Sequence, residues 1–215
     1  MSHENDEPIW RLLGLLFRAH PWHGVPIGPD APATVNTYIE IVPTDTVKYE
    51  LEKITGLLRI DRPQLYSNVC PALYGLIPQT FCGERVGAYC AERAGLSGVR
   101  GDQDPLDVCV LTEKTISHGD VLLRARPVGG LRMIDNAEAD DKVLAVMEGD
   151  AVYGRINDVS ECPGPLIERL KHYFLTYKLV PGQKSQARIT KVYGRDHARK
   201  VVRAAIADYD ENFGI

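Results

Sequence analysis

The 215-residue chain lacks the features that mark secreted, membrane-spanning and nucleic-acid-binding proteins. Its five cysteines show no Cys-x-x-Cys spacing and are odd in number, so we expect free thiols in a reducing compartment. The longest apolar stretch near the start, residues 10–17, is far shorter than the ~20 residues that span a bilayer. No Lys/Arg-rich region precedes that stretch, which argues against a signal peptide.

Basic residues are also scarce, with 25 Lys and Arg against 29 Asp and Glu and a net charge of −4. This balance argues against a broad basic face for nucleic acid. It still allows an anionic substrate, because bound metal ions can reverse the local sign of the charge. We therefore expect a cytoplasmic protein with neither a nucleic-acid nor a membrane partner.

Periodic apolar residues predict strands in the middle of the chain and helices at its end. Residues 47–52 alternate between apolar and charged side chains, as a half-buried strand does. Further strands are expected at 38–42, 57–60, 107–111, 121–127 and 143–147. Apolar stripes of helical period follow at 166–177 and 198–209. The predicted fold class is α+β: a small, highly twisted, OB-like closed β-barrel with two C-terminal helices packed against it.

No linker or repeat divides the sequence, so we expect a single domain over residues 1–215. Residues 1–36 would form an N-terminal extension, which is extended where it is rich in proline and glycine (20–36). Its apolar stretch, 10–17, is typical of a short amphipathic helix against the body or a neighbouring subunit. Residues 78–101 contain five glycines without a clean period and predict an elaborated, inserted surface loop.

The densest acidic motif places Asp102, Asp104 and Asp107 around Pro105, directly before a predicted strand. Mg²⁺ prefers oxygen ligands and is commonly held by one or two carboxylates together with waters and phosphate oxygens. Pro105 stiffens the turn and so lowers the entropy lost when the carboxylates converge. A solvated acidic turn is the alternative interpretation, because Asp-x-Asp is common in loops.

A second acidic cluster and a set of cations accompany this motif. The cluster contains Asp135, Glu138, Asp140 and Asp141 and is followed by Lys142. Two acidic turns at strand edges of one barrel could share metal ions, and paired cations promote in-line displacement at phosphorus. The cations Lys48, Arg62, Lys142 and Lys178 are accompanied by the hydroxyls of Tyr74 and Tyr177. Such cations often form only surface ion pairs, but with hydroxyl donors they suit phosphate oxygens.

These motifs together resemble family I soluble inorganic pyrophosphatases. The family's Asp-x-Asp-Pro-x-Asp signature, followed by an apolar run, stands here as residues 102–111. Seven further motifs match in the family's order: 39–41, 48–51, 61–63, 73–75, 126–135, 139–142 and 172–178. The resemblance implies hydrolysis of pyrophosphate by a metal-activated water. It also implies a homo-oligomer and several Mg²⁺ ions per site, with Mn²⁺ or Zn²⁺ as substitutes.

The resemblance also implies a role for each matching residue. Asp104 would be the base that acts on the attacking water. The metal ligands would be Asp102, Asp107, Asp135, Asp140 and, more distantly, Glu40. The phosphates would bind to Lys48, Arg62, Tyr74, Lys142, Tyr177 and Lys178. Glu50 would line the pocket and orient Lys48 or Arg62.

Two positions depart from the family pattern. Cys70 stands where a tyrosine is common, and Asn136 stands where an acid is usual. A thiol is a much weaker hydrogen-bond donor than a hydroxyl, so one contact to the substrate would be lost. These departures motivate an alternative function, a non-catalytic module of the same fold that binds pyrophosphate or a nucleotide.

Overall fold

The computed structural model describes residues 18–180, 182 and 184–214. The strands are β1 (Val35–Ile41), β2 (Val47–Leu51), β3 (Leu58–Pro63), β4 (Leu73–Leu76), β5 (Arg100–Gly101), β6 (Asp107–Leu111), β7 (Val121–Asp135), β8 (Glu138–Ala139), β9 (Lys142–Met147) and β10 (Arg188–Gly194). The helices are α1 (Glu84–Ala94), α2 (Gly164–Thr176) and α3 (Arg195–Phe213). The predicted apolar stretch at 10–17 lies outside the described residues.

Five strands form a ring, because pairing runs from β1 through β4, β6, β9 and β7 and returns to β1. The 15-residue β7 holds the ring together. Its first part pairs with β1, its middle with β9, and its last part with β10 and β8. The predicted α+β class is confirmed, with a twisted ring of five strands and three helices among the described residues.

The strands β6 and β9 pair in parallel, and this pairing decides where the charged residues lie. Both strands are almost entirely apolar and buried after their first residue, as expected for strands covered on both faces. Their register sets Asp107 opposite Lys142 at the start of each strand. The charged residues are therefore brought together at one edge of the ring.

The two predicted C-terminal helices are confirmed, and each packs through its predicted apolar stripe. In α2, Leu170, Tyr173 and Phe174 are buried against the ring. In α3, Ala198, Val201, Val202, Ala205 and Tyr209 are buried. The strands β4, β5 and β8 were not predicted, because two to four residues give no clear period. The seven-residue β10 was not predicted either, because its sequence mixes polar and apolar residues.

The predicted surface loop at 78–101 is wrong over its centre, where α1 forms. Of the five glycines that suggested a loop, Gly87 and Gly101 serve close packing, and Gly95 ends α1 with φ 65°. A Cβ on Gly87 would lie 2.6 Å from the backbone nitrogen of Gly101, so this glycine lets helix α1 lie directly on β5. Val86 and Cys90, four residues apart, bury the helical face.

The side chain of Asp208, on α3, caps the N-terminus of helix α1. Asp208 is 1% exposed and accepts the backbone N–H groups of Gly83, Arg85 and Val86 at 3.0 Å each. The guanidinium of Arg85 donates to the same carboxylate at 3.2 Å. The first N–H groups of a helix lack partners within the helix, and a negative charge also favours that end.

Replacing Asp208 by alanine should therefore lower the free energy of unfolding by about 3 kcal/mol, because three buried N–H groups lose their acceptor. Urea unfolding followed by circular dichroism measures this change. Asp210→Ala is the matched control, since Asp210 lies exposed on the same helix and should change stability by less than about 0.5 kcal/mol. Equal losses in the two variants would contradict the capping role.

All five cysteines are free and buried. Residues 20–34 contain turns and bends but no helix, as predicted for the extended part of the N-terminal extension. Among the described residues, no helix is both long and apolar enough to cross a membrane.

Candidate active site

Nearly all the predicted site residues meet in one pocket of about 210 Å³. Those that line it are Glu40, Lys48, Glu50, Tyr74, Asp102, Asp104, Asp107, Asp135, Asp140, Lys142, Tyr177 and Lys178. Arg62 does not line the pocket, but its guanidinium carbon lies 5.5 Å from the ring centre of Tyr177, which does. The pocket also contains residues that were not predicted: Trp22, Leu51, Lys53, Leu76, Pro105 and Glu138.

Strand ends position the aspartates. Asp107 begins β6, Asp135 ends β7 and Asp102 follows β5, so three different strands deliver one carboxylate each. Asp140 lies between β8 and β9. Residues far apart in sequence thus meet at one edge of the ring, where strand ends leave space for a ligand.

The loop that carries Asp102 and Asp104 depends on close backbone approach. A Cβ on Gly101 would lie 1.9 Å from the carbonyl oxygen of Cys82, so only glycine fits before Asp102. The Asp102 carboxylate accepts the backbone N–H of Asp104 at 3.0 Å. The N–H of Cys82 donates to the Asp104 carbonyl at 2.8 Å, which ties the loop to the segment before α1.

Lys142 lies at the centre of the pocket, 3% exposed, and its ammonium contacts the carboxylates of both Asp107 and Asp140. The rings of Tyr74 and Phe174 flank it at 5.8 and 5.5 Å from their centres. Burial alone would lower the pKa of Lys142, but the two carboxylates outweigh it and hold that pKa well above its usual value.

The pocket carries more negative charge than its own cations neutralise. Burial, together with the neighbouring charges of Asp140 and Asp107, raises the pKa of Asp102 to about 8. Burial also raises the pKa of Glu40 to about 8, although Glu40 accepts the N–H of Leu51 at 2.7 Å. In both groups burial is the main cause, and the neighbouring carboxylate of Asp107 adds to it.

The donor chemistry of the pocket fits a hard divalent cation, since such ions prefer the carboxylate oxygens that line it. Within the described part of the chain, however, no three His, Cys, Asp or Glu side chains surround a single point closely enough to hold a metal ion. Lysines contact the aspartates instead: Lys53 contacts Asp104, and Lys178 contacts Asp135 at 3.0 Å. A metal ion held by the predicted ligands would have to draw Asp135 away from Lys178, and Asp107 and Asp140 away from Lys142. The contact between Lys53 and Asp104 does not involve a predicted ligand.

Two of the cations predicted for phosphate, Lys48 and Arg62, share one carboxylate, that of Asp61. The Lys48 ammonium is 3.3 Å from Asp61 and 4.0 Å from Glu50. The Arg62 guanidinium is 2.7 Å from the same Asp61 oxygen. Asp61 therefore forms an ion pair with both cations, whereas Glu50 pairs with Lys48 alone of the two. The sequence analysis names Asp61 only within a matching motif and assigns it no role in the site. Its position next to Arg62 on β3 could have indicated this ion pair.

The two departures from the family pattern have structural explanations. Cys70 is fully buried beside Tyr173 and does not line the pocket, so it removes no hydroxyl from the pocket wall of this structure. Asn136 has φ 49° in the two-residue turn between β7 and β8, a conformation that asparagine tolerates well. Its amide donates to the Asp135 carboxylate at 3.1 Å and helps to hold that side chain.

Fold and site together define an α+β protein whose pocket combines clustered carboxylates with ammonium groups. Comparison with known proteins shows which family has this fold. The family model described as inorganic pyrophosphatase matches residues 37–210. The inorganic pyrophosphatase of Chlamydia trachomatis is 52% identical over 196 residues, covering 89% of this chain and 94% of that protein. The soluble inorganic pyrophosphatase of Zea mays is 41% identical over 172 residues, covering 78% and 72%.

Solved structures show the same fold. The inorganic pyrophosphatase from Thermus thermophilus superposes with a TM-score of 0.74 at 30% identity, covering 89% of this chain and 99% of that one. The type I enzyme from Toxoplasma gondii superposes with a TM-score of 0.76 at 25% identity, covering 90% and 88%. The chain belongs to the inorganic pyrophosphatase family, whose members are metal-dependent hydrolases.

Proposed function

We propose that this chain hydrolyses inorganic pyrophosphate to two orthophosphates, with Mg²⁺ as its metal ion. The observation that carries the proposal is the pocket itself, where aspartates for a metal ion and lysines for phosphate alternate within about 210 Å³. Pyrophosphate is a small polyanion, and a pocket of this size and chemistry suits it. Family membership supports the same activity.

The chemical step is an in-line attack of water on one phosphorus, which breaks the bridging P–O bond and releases the second phosphate. In our proposal Asp104 accepts the proton of the attacking water. Its side chain is half-buried at the pocket wall, where water can reach it. Lys142, Lys178 and Lys48 would neutralise the phosphate oxygens, because charge builds up on them as the bridge breaks.

Mg²⁺ would be held by Asp102, Asp107, Asp135 and Asp140, and more distantly by Glu40. When bound, it neutralises the substrate and lowers the pKa of a coordinated water. Tyr74 and Tyr177 line the same pocket and would donate hydroxyl hydrogen bonds to the phosphates. Burial raises the pKa of Tyr74 well above its usual value, so its hydroxyl keeps its proton and remains a donor.

The alternative of a non-catalytic binding module finds no support in these observations. A degenerate site would be expected to lose some carboxylates, yet Asp102, Asp104 and Asp107 share the pocket. We also propose a cytoplasmic homo-oligomer built from a single domain over residues 1–215, with 1–36 as an N-terminal extension. Size-exclusion chromatography with light scattering tests the oligomeric state.

Phosphate release from pyrophosphate and from ATP, measured with Mg²⁺, Mn²⁺, Zn²⁺ or a chelator, tests the function. We expect turnover of pyrophosphate with Mg²⁺, little turnover of ATP, and none of either in the chelator. Binding of pyrophosphate without release of phosphate under every metal condition would contradict the proposal and favour the binding module.

A further inference from the structure

A short N-terminal segment, residues 18–24, forms part of the pocket wall; we call it the strap. It lies outside the part of the chain that the family model matches, which begins at residue 37. Trp22 anchors it: the side chain is 4% exposed, and its indole N–H donates to the Thr80 carbonyl at 2.7 Å. The Trp22 carbonyl accepts the N–H of Gln79 at 2.9 Å. The strap is therefore fixed to the body through both the side chain and the backbone of Trp22, which lines the pocket.

His20 connects the strap to the turn between β2 and β3. Its Nδ1 accepts the backbone N–H groups of Trp22 and His23 at 3.2 and 3.4 Å. In a neutral imidazole, a ring nitrogen that accepts leaves the proton on the other nitrogen. Nε2 therefore donates to the carbonyl of Lys53, 3.1 Å away.

The same turn is shaped to receive the His20 ring. Gly56 has φ +71°, and a Cβ there would lie 2.8 Å from the His20 ring carbon Cδ2. The Glu52 carboxylate accepts the N–H and hydroxyl of Thr55 at 2.8 and 2.7 Å. The N–H of Gly56 donates to the Glu52 carbonyl at 2.8 Å. The backbone of Lys53 is thus held from within the turn and from the strap.

From this fixed backbone the Lys53 side chain reaches the carboxylate of Asp104. Among the residues that the structure describes, Lys53 is the one hydrogen-bond donor to that carboxylate. The contact between Asp102 and Asp104 holds the Asp104 backbone and leaves its side chain free to rotate. Lys53 is therefore what selects one orientation of the Asp104 carboxylate.

We propose that Lys53 is a positioning residue for Asp104, and that the strap places Lys53 through His20. This inference rests on the proposed function, in which Asp104 acts on the attacking water. The side chains of Lys53 and Asp104 are 48% and 42% exposed, and ion pairs that face solvent contribute little to stability. Orientation of a reacting group, in contrast, changes rates by up to about 10²-fold per ångström of misplacement. The pair therefore affects turnover and leaves stability unchanged.

Lys53→Met removes the ammonium and keeps the length of the side chain. We expect kcat for pyrophosphate to fall about tenfold, with KM changed less than about threefold and the thermal midpoint unchanged. Lys53→Arg keeps the charge and a donor, and should recover most of kcat. Lys114→Met is the matched control, because Lys114 pairs with Glu113 outside the pocket and should leave kcat unchanged.

A second measurement needs no turnover. Calorimetry of Mg²⁺ binding without pyrophosphate should show that Lys53→Met binds the ion at least as tightly as the wild type, since a positive charge has been removed. Loss of Mg²⁺ binding in Lys53→Met would overturn the inference, because Lys53 would then act on the metal ligands instead of on Asp104.

The strap is tested by a double-mutant cycle. His20→Ala should lower kcat in the same direction as Lys53→Met, whereas His20→Gln, whose amide N–H can replace Nε2–H, should not. In the variant carrying both His20→Ala and Lys53→Met, kcat should be no lower than in Lys53→Met alone. Additive losses would overturn the proposal that the strap acts through Lys53.

The wild type and Asp104→Asn separate failure of the inference from failure of the proposed function. A wild type that releases no phosphate overturns both. A wild type that turns over, with an inactive Asp104→Asn and a fully active Lys53→Met, overturns the positioning role alone. Equal fractional losses from Lys53→Met in the wild-type and Asp104→Asn backgrounds would also overturn it, because Lys53 would then act independently of Asp104.

Discussion

Asp104→Asn should lower kcat for pyrophosphate by roughly a thousandfold while the protein still folds and binds Mg²⁺. The amide has the shape of the carboxylate but cannot accept a proton from the attacking water. General base catalysis contributes about 10²–10⁴-fold to enzymatic rates, and this sets the size of the expected loss. Initial rates of phosphate release at saturating Mg²⁺ and pyrophosphate measure it.

The structure indicates that Asp104→Asn changes the carboxylate and leaves the backbone contacts of its loop intact. The Asp104 carboxylate lies at the pocket wall and contacts Lys53, while the loop is held by the backbone N–H and carbonyl of Asp104. These backbone contacts survive in Asp104→Asn. Asp196→Asn is the control, because Asp196 is exposed on α3 and should leave kcat unchanged. If Asp104→Asn turned over pyrophosphate at the wild-type rate, Asp104 would not be the general base, and another residue would have to take that role.

Lys142→Met should weaken both catalysis and stability. We expect kcat/KM for pyrophosphate to fall by at least about a hundredfold, because a preorganised charge at the reacting phosphate is lost. Without metal ions, the free energy of unfolding should fall by about 3 kcal/mol, since Asp107 and Asp140 are left without the ammonium that compensates them. Urea unfolding in a chelator measures this loss.

Added Mg²⁺ should then restore part of the lost stability, because a divalent ion between the aspartates replaces the missing charge and binds only the folded form. The matched control is Lys171→Met, whose exposed pair with Glu168 on α2 should contribute less than about 0.5 kcal/mol. A Lys142→Met protein as stable in chelator as the wild type would contradict the central role given to this ammonium.

Much of the fold and of the candidate site could be predicted because strong local patterns coincide with it. The apolar stripe of α3 reflects burial directly, and the alternation at 47–52 coincides with strand β2. The acidic motif at 102–107 is dense enough to stand out in sequence. Its residues meet those of β7 and β9 because strand register brings them together.

What could not be predicted depends on contacts between distant segments. The sequence predicts a loop where helix α1 forms, because the one glycine of the helix, Gly87, serves packing against Gly101, which no local pattern reveals. The contact between Lys53 and Asp104 joins two loops 51 positions apart. Asp208 caps a helix that begins more than a hundred positions earlier in the chain. Such pairings follow from topology and carry no periodic signal.

The long strand β7 also constrains how the protein folds. Val35 at the start of β1 pairs with Ala125 of β7, and the far end of β7 carries Asp135 into the pocket. The entropy of closing so long a loop must be lost before the pairing contributes any stability, so the ring is slow to form. Because β5, β6, β7 and the turn between β8 and β9 each bring a carboxylate to the pocket, a chain halted before the ring closes has no complete site. Recovery of activity during refolding therefore reports completion of the ring.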